Sequence, residues 1–185
     1  FIKKNKILSK NLIEKKINFK FLGRNILVTF HPETLEKNKT EKHINEILKA
    51  LKKFNNARII FTMPNADHEN KIISKKIKKF ASQNSNSKVF KSLGNIKYLS
   101  CMKYSNVVLG NSSSGLLEAP SLNIPTINLG NRQKGRIQSK SITNCPLKEK
   151  EITLNLKKIF KRKKNKIYKN PYEQLNTSKK IVNIL

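Results

Sequence analysis

The chain has 185 residues, 37% of them hydrophobic, and carries 40 Lys and Arg against 11 Asp and Glu for a formal charge of +29. That size suits one sizeable core, hence one domain with short extensions. No apolar run approaches the ~18 residues of a membrane span, and "FIKKNKILSK" lacks the apolar stretch of a secretory signal, so a cytoplasmic protein without a membrane partner is expected. Cys101 and Cys145 have neither CxxC spacing nor a clustered His, which supports neither a disulfide framework nor a zinc site, and no metal or cofactor is expected.

A balance this basic first suggests a polyanionic partner such as nucleic acid. The cations are mostly Lys, mixed with Asn and Ile and spread from Phe1 to Leu185, rather than gathered with exposed aromatics on one face. Only "KKIFKRKKNK" (Lys157 to Lys166) forms a local run, and a solvated helix end accounts for it. No specific nucleic-acid partner is expected, although a basic, noncatalytic nucleic-acid binder on the same core stands as the second reading.

In chain order, "NILVTF" (Asn25 to Phe30) reads as a buried parallel strand stopped by His31-Pro32. "EKHINEILKALKKF" sets Ile44, Ile47, Leu48 and Leu51 on one helical face. "RIIFT" (Arg58 to Thr62) is a second strand ending at the turn "MPNAD", and "NKIISKKIKKFA" repeats the helical period through Ile72, Ile73, Ile77 and Phe80. "KVFKS" and "NVVLG" read as strands around the helical "IKYLSCMKYS", and "IPTINLG" as another after the helical "SSGLLEA". The alternation predicts an α/β fold, a Rossmann-like parallel sheet with helices on both faces. After Gly135 the pattern changes to a helix, "EKEITLNLKKIFKR", and a short amphipathic one ending "IVNIL". Residues 1–23 lack a strand-like run and read as a connector.

In an open parallel sheet, ligands bind beyond the carboxyl ends of the strands. Four unusual segments fall there: His31 after the first strand, Asn65 and Asp67 after the second, "GNSSSG" after "VVL", and "GNRQKGR" after "TINL". In "GNSSSGLLE", Gly110 and Gly115 permit a tight turn, and Ser112 and Ser113 offer hydroxyl and amide donors at a helix N-terminus, which suits a phosphate. The loop is not GxxxxGK[ST], so an ATP-hydrolysing P-loop is not indicated. Glu118, one turn on, can accept hydrogen bonds from a vicinal diol such as ribose. The same residues would also serve as a Ser N-cap with a first-turn acid.

"VTFHPET", "MPNAD", "GNSSSGLLEAPSLNIPTINLGNRQKGR" and "NPY...TSKKIVNIL" together resemble the carboxyl-terminal half of the hydrolysing UDP-N-acetylglucosamine 2-epimerases, one half of the two-Rossmann-domain, glycosyltransferase-B-like architecture. Non-hydrolysing 2-epimerases carry a "DSGG" type loop and an "RxxTERPE" type segment in place of "GNSSSG" and "NLGNRQKGR", which favours the hydrolysing branch. The resemblance implies elimination of UDP across C1 and C2 of a UDP-sugar and hydration to an N-acetylmannosamine-type free sugar, in sialic-acid-like sugar biosynthesis.

By the same resemblance Ser112, Ser113 and Arg132 hold the diphosphate, Glu118 the ribose, and the Leu93 backbone the uracil. His31 and Asn65 match active-site positions near phosphate and sugar, His31 being the catalytic candidate. Gly115, Gln133 and Arg136, in the same loops, complete the substrate-binding set. The implied organisation is a connector at 1–23, a Rossmann-like UDP-binding domain at 24–163 and a helical extension at 164–185. This chain has "NPYEQLN" where the family carries "NPYGxG", so a ligand contact at that turn is not implied. The family's proton-transferring carboxylates lie in its amino-terminal domain. The expectation is therefore a part inactive without that domain or a partner chain supplying it, within a full-length enzyme that is a homo-oligomer.

Overall fold

The computed structural model describes residues 7–33, 39–64, 68–162 and 167–173. Its elements run α1 (Lys10–Ile17), β1 (Asn25–Thr29), α2 (Thr40–Lys52), β2 (Arg58–Thr62), α3 (His68–Gln83), β3 (Ser87–Phe90), α4 (Gly94–Lys103), β4 (Val107–Gly110), α5 (Ser114–Leu117), a 3₁₀ turn (Ala119–Leu122), β5 (Thr126–Leu129), β6 (Ile142–Cys145) and α6 (Glu149–Lys161). The six strands form one sheet in the order β3-β2-β1-β4-β5-β6, and every pairing is parallel. This is the Rossmann order, in a parallel sheet of the kind the alternating pattern predicts.

Successive strand residues point to opposite faces, so each central strand feeds two cores. Ile26, Val28, Ile59, Phe61, Val107 and Leu109 pack with Ile44, Ile47 and Leu51 of α2, Ile73 and Ile77 of α3, and Ile152 and Leu156 of α6. Leu27, Ile60 and Val108 face the other way, onto Cys101 and Met102 of α4 and Ala119 of the 3₁₀ turn. Helices therefore cover both faces. On the first face α2 and α6 are tied together by Glu46, whose carboxylate accepts the Glu149 N–H at 2.8 Å and so supplies the cap that Lys148 does not.

Two regions differ from the sequence expectation. After Gly135 no strand is expected, yet Ile142–Cys145 pairs with β5 as the sixth strand. It is an edge strand in which only Cys145 is buried, so it lacks the apolar run that marks the inner strands. The second region is the segment read as a connector. Its described part adds no strand, but Ile13 and Ile17 of α1, with Phe19 and Phe21, are buried in the second core. At roughly 1.5–3 kcal/mol per fully buried large apolar side chain, that contact makes α1 an integral layer over the sheet. The amphipathic helix expected at the C-terminus lies outside the described residues.

Candidate functional site

The chain leaves β1 toward β2 on one side and leaves β4 toward β5 on the other, though β1 and β4 are neighbours. Loops that depart in opposite directions open a crevice at the carboxyl ends of those strands. His31 lies two residues beyond β1 and Asn111 directly beyond β4.

Asn111 is fully buried and joins three loops. Its side-chain Oδ1 accepts the His31 N–H at 2.8 Å, and its Nδ2 donates to the His31 carbonyl at 2.8 Å. Its own carbonyl accepts from Arg132 Nη1 at 3.1 Å and from Gln133 Nε2 at 2.8 Å. The loops after β1, β4 and β5 are thus held by one residue that the sequence shows only as a letter within "GNSSSG". Burial, and then the nearby Arg132 guanidinium, hold the His31 imidazole below its usual pKa. At neutral pH His31 is therefore uncharged and can donate from one ring nitrogen while accepting at the other. Arg132 uses one N–H on Asn111 and, being exposed, keeps the rest of its fork accessible.

In the serine loop, Ser114 Oγ donates to Ser112 Oγ at 3.0 Å and lies 2.6 Å from the Tyr98 hydroxyl of α4. A hydroxyl has one proton, so Tyr98 donates to Ser114 and Ser114 to Ser112, which leaves the Ser112 proton uncommitted among the described residues. Thr29 Oγ1 stands 3.4 Å from the Tyr98 hydroxyl and pairs with Thr62 at 2.5 Å. Among the described residues, the loop's backbone hydrogen bonds leave the N–H groups of Ser112 and Ser113 unused.

α5 is only four residues long, and Ser113, at its N-cap, makes no side-chain capping bond. The capping alternative is thus unsupported for Ser113, whereas Ser112 Oγ accepts the Ser114 N–H at 3.4 Å. So short a helix also has little dipole, and attraction for an anion rests on the hydroxyls, the two amides and Arg132.

Glu118 does not lie in the first turn of a helix, as the capping alternative requires, but one turn on, at the C-cap of α5, where the short helix gives way to the 3₁₀ turn. Burial raises its carboxyl pKa, and among the described residues its buried Oε2 has no hydrogen-bond partner. A half-buried carboxylate with an unmet acceptor is costly unless something binds it.

The other expected site residues fall as follows. Leu93 is 4% exposed, its side chain in the second core, which leaves its backbone, just before α4, as the part able to meet a ligand. Gly115 is buried where a β-carbon would stand 2.7 Å from Thr126 Cγ2, so close helix–strand packing explains the glycine. Gln133 is buried against Asn111, and its Oε1 has no partner among the described residues. Arg136 is exposed on the turn beyond, its N–H on the Gln133 carbonyl at 3.3 Å. Asn65, with Asp67, lies outside the described residues.

Behind the serine loop, Asn170 of the "NPY" turn is buried and donates to the Leu117 carbonyl at 2.8 Å and to Ser121 Oγ at 2.6 Å. That turn braces the loop from behind. Among the described residues no group of His, Cys, Asp or Glu is placed to hold a metal, and no helix is long and apolar enough to cross a membrane.

A sequence profile of the family described as UDP-N-acetylglucosamine 2-epimerase matches residues 2–185. The chain belongs to that family. It is 39% identical over 149 residues to the GDP/UDP-N,N'-diacetylbacillosamine 2-epimerase (hydrolyzing) of Campylobacter jejuni, a match covering 80% of this chain and 39% of the relative. It is 42% identical over 135 residues to the polysialic acid biosynthesis protein P7 of Escherichia coli, covering 71% of this chain and 34% of the relative. Among solved structures, the UDP-GlcNAc 2-epimerase of Neisseria meningitidis bound to UDP-GlcNAc superposes with a TM-score of 0.74 at 20% identity, covering 95% of this chain and 48% of that one. That likeness shows the family's fold. The chain spans half or less of the length of each of these relatives.

Proposed function

We propose that this chain is the nucleotide-binding half of a hydrolysing UDP-sugar 2-epimerase, with the sheet and its covering helices, α1 among them, as the UDP-binding domain and 164–185 as an extension. The observation that carries the proposal is convergence. Arg132, two unused amides and the Ser112 hydroxyl lie on the loops after β4 and β5, with the Glu118 carboxyl, whose buried Oε2 has no partner among the described residues, at the far end of the serine loop. Anion donors beside a buried acceptor match a diphosphate beside a ribose diol. The name of the Campylobacter jejuni relative, a GDP/UDP-N,N'-diacetylbacillosamine 2-epimerase (hydrolyzing), supports the same ligand class.

In the proposed reaction the C2 proton leaves the sugar as the C1–O bond to UDP breaks, giving an unsaturated sugar. Water then adds at C1 while a proton returns to C2 from the opposite face, releasing the 2-epimeric free sugar and UDP. Negative charge grows on the diphosphate as it departs. Arg132 and the serine-loop donors are aimed at that charge, so they stabilise the transition state more than the bound substrate. Neutral His31, next to Arg132, is the catalytic candidate of this half: its ring N–H donates a hydrogen bond to the leaving oxygen, with no proton transferred and no buried cation to desolvate. The groups that move the C2 proton belong to the facing domain, which also closes the crevice against water.

The test is to supply UDP-N-acetylglucosamine, and a diacetylated 2,4-diamino analogue, to the chain joined to or mixed with its facing domain. Release of free 2-epimeric sugar and UDP in equal amounts is expected, with neither formed by the 185-residue chain alone. Turnover by the chain alone would remove the facing domain from the mechanism.

A further inference from the structure

We propose that Glu33 is a positioning residue that fixes Arg132 for the diphosphate rather than an acid or base acting on substrate, an inference that rests on the function proposed above. Glu33 lies just past β1, two residues from His31, and is one of few acids at this end of the sheet. An acid beside an anion site is unfavourable unless its charge is spent elsewhere. Here it is spent on backbone: the carboxylate is 7% exposed, and its Oε1 accepts the N–H of Asn131 at 2.7 Å and that of Arg132 at 3.2 Å. Both are charge-assisted bonds to successive amides, the strong kind, and they set where the Arg132 backbone begins.

The loop is built around that contact. Gly130 has φ +68, and a β-carbon there would run into the Glu33 carboxylate and come within 2.9 Å of Leu147 Cδ1. Glycine is therefore required for the turn to close over the acid. From its fixed backbone, Arg132 reaches the Asn111 carbonyl with one guanidinium N–H, so the side chain is held at its root and at its tip. With Oε1 committed to two successive amides, the carboxylate is oriented by the loop it holds. The residue works on the reaction through Arg132.

Calorimetric titration of the 185-residue chain with UDP and with uridine tests this. Glu33→Gln keeps an oxygen that accepts both amides, and its UDP affinity should stay within about threefold of the parent; Glu33→Leu should lose at least about tenfold. The loss should be confined to UDP, sparing uridine, and should fall below about twofold when Arg132 is already Ala, because the two residues act as a unit. Gly130→Ala, which crowds the acid from the other side, should reproduce the selective loss seen in Glu33→Leu. If the parent binds UDP but Glu33→Leu and Gly130→Ala bind it unchanged, or if their losses add fully to that of Arg132→Ala, the inference is overturned. If the parent does not bind UDP, the proposed function itself fails.

Discussion

Asn111 and His31 form a closed pair in which the side-chain amide of one satisfies both backbone groups of the other, each bond 2.8 Å long. The pair sews the end of β4 to the loop after β1, where no strand pairing remains to do so. Asn111→Ala would strand the His31 N–H and carbonyl, for a loss of about 1–3 kcal/mol in urea unfolding. Asn111→Asp keeps the acceptor but turns a carboxylate toward the His31 carbonyl, so it should be no more stable than the Ala variant. Unchanged midpoints in both would mean that the loop is held by other contacts.

Arg132 and Ser113 contribute little to packing, since Arg132 is exposed and Ser113 caps nothing. Their removal should therefore separate binding from folding. Arg132→Ala and Ser113→Ala are each expected to weaken UDP by about 1.5–3 kcal/mol while leaving thermal unfolding within error of the parent. UDP affinity equal to the parent's in both variants would return the loop to a purely structural role.

Glu118 gives a pH signature. Its folded pKa is raised by burial, so at neutral pH the ionised side chain opposes folding, and the penalty disappears as pH falls through the raised folded value toward the ordinary 4.5. Glu118→Gln should accordingly be more stable than the parent near pH 7, and the advantage should shrink as the solution is acidified. At neutral pH the same variant should distinguish UDP from its 2′,3′-dideoxy analogue less well than the parent. A stability difference that does not vary with pH would show that the carboxylate is not held at a cost. Equal discrimination would remove it from a ribose site.

The inner strands and the residues of the crevice were legible for different reasons. Inner strands such as "RIIFT" and "VVLG" announce themselves because both faces are buried, and their loops could be placed by topology alone. β6 was not legible, because an edge strand with one buried residue carries no apolar run. The connector reading of residues 1–23 missed α1 as a layer over the sheet, since Lys, Asn and Glu make up most of that helix and hide the two isoleucines that bury. Ser112, Ser113 and Arg132 stand out as polar residues in strand-end loops. Asn111, Tyr98 and the holding role of Glu33 do not, because their importance lies in partners about 15 to 100 residues away.

Tyr98 tests that last point. Its hydroxyl donates to Ser114, which in turn donates to Ser112, so Tyr98→Phe should free the Ser114 rotor and weaken UDP by about 0.5–1.5 kcal/mol without affecting uridine. Ser114→Ala should give the same loss, and the double variant no more than either alone. Additive losses would break the chain of hydroxyls into independent contacts.

The central claim is that this crevice holds the diphosphate and ribose of a uridine nucleotide, and calorimetric titration of the chain with UDP at physiological salt tests it most directly. The account predicts saturable one-to-one binding that survives this ionic strength, weakens in Arg132→Ala, and is competed by UDP-N-acetylglucosamine. An absence of saturable binding would contradict it, as would weak heats that vanish with added salt and are matched by duplex DNA, which would mark the charge of +29 as the only source of attraction.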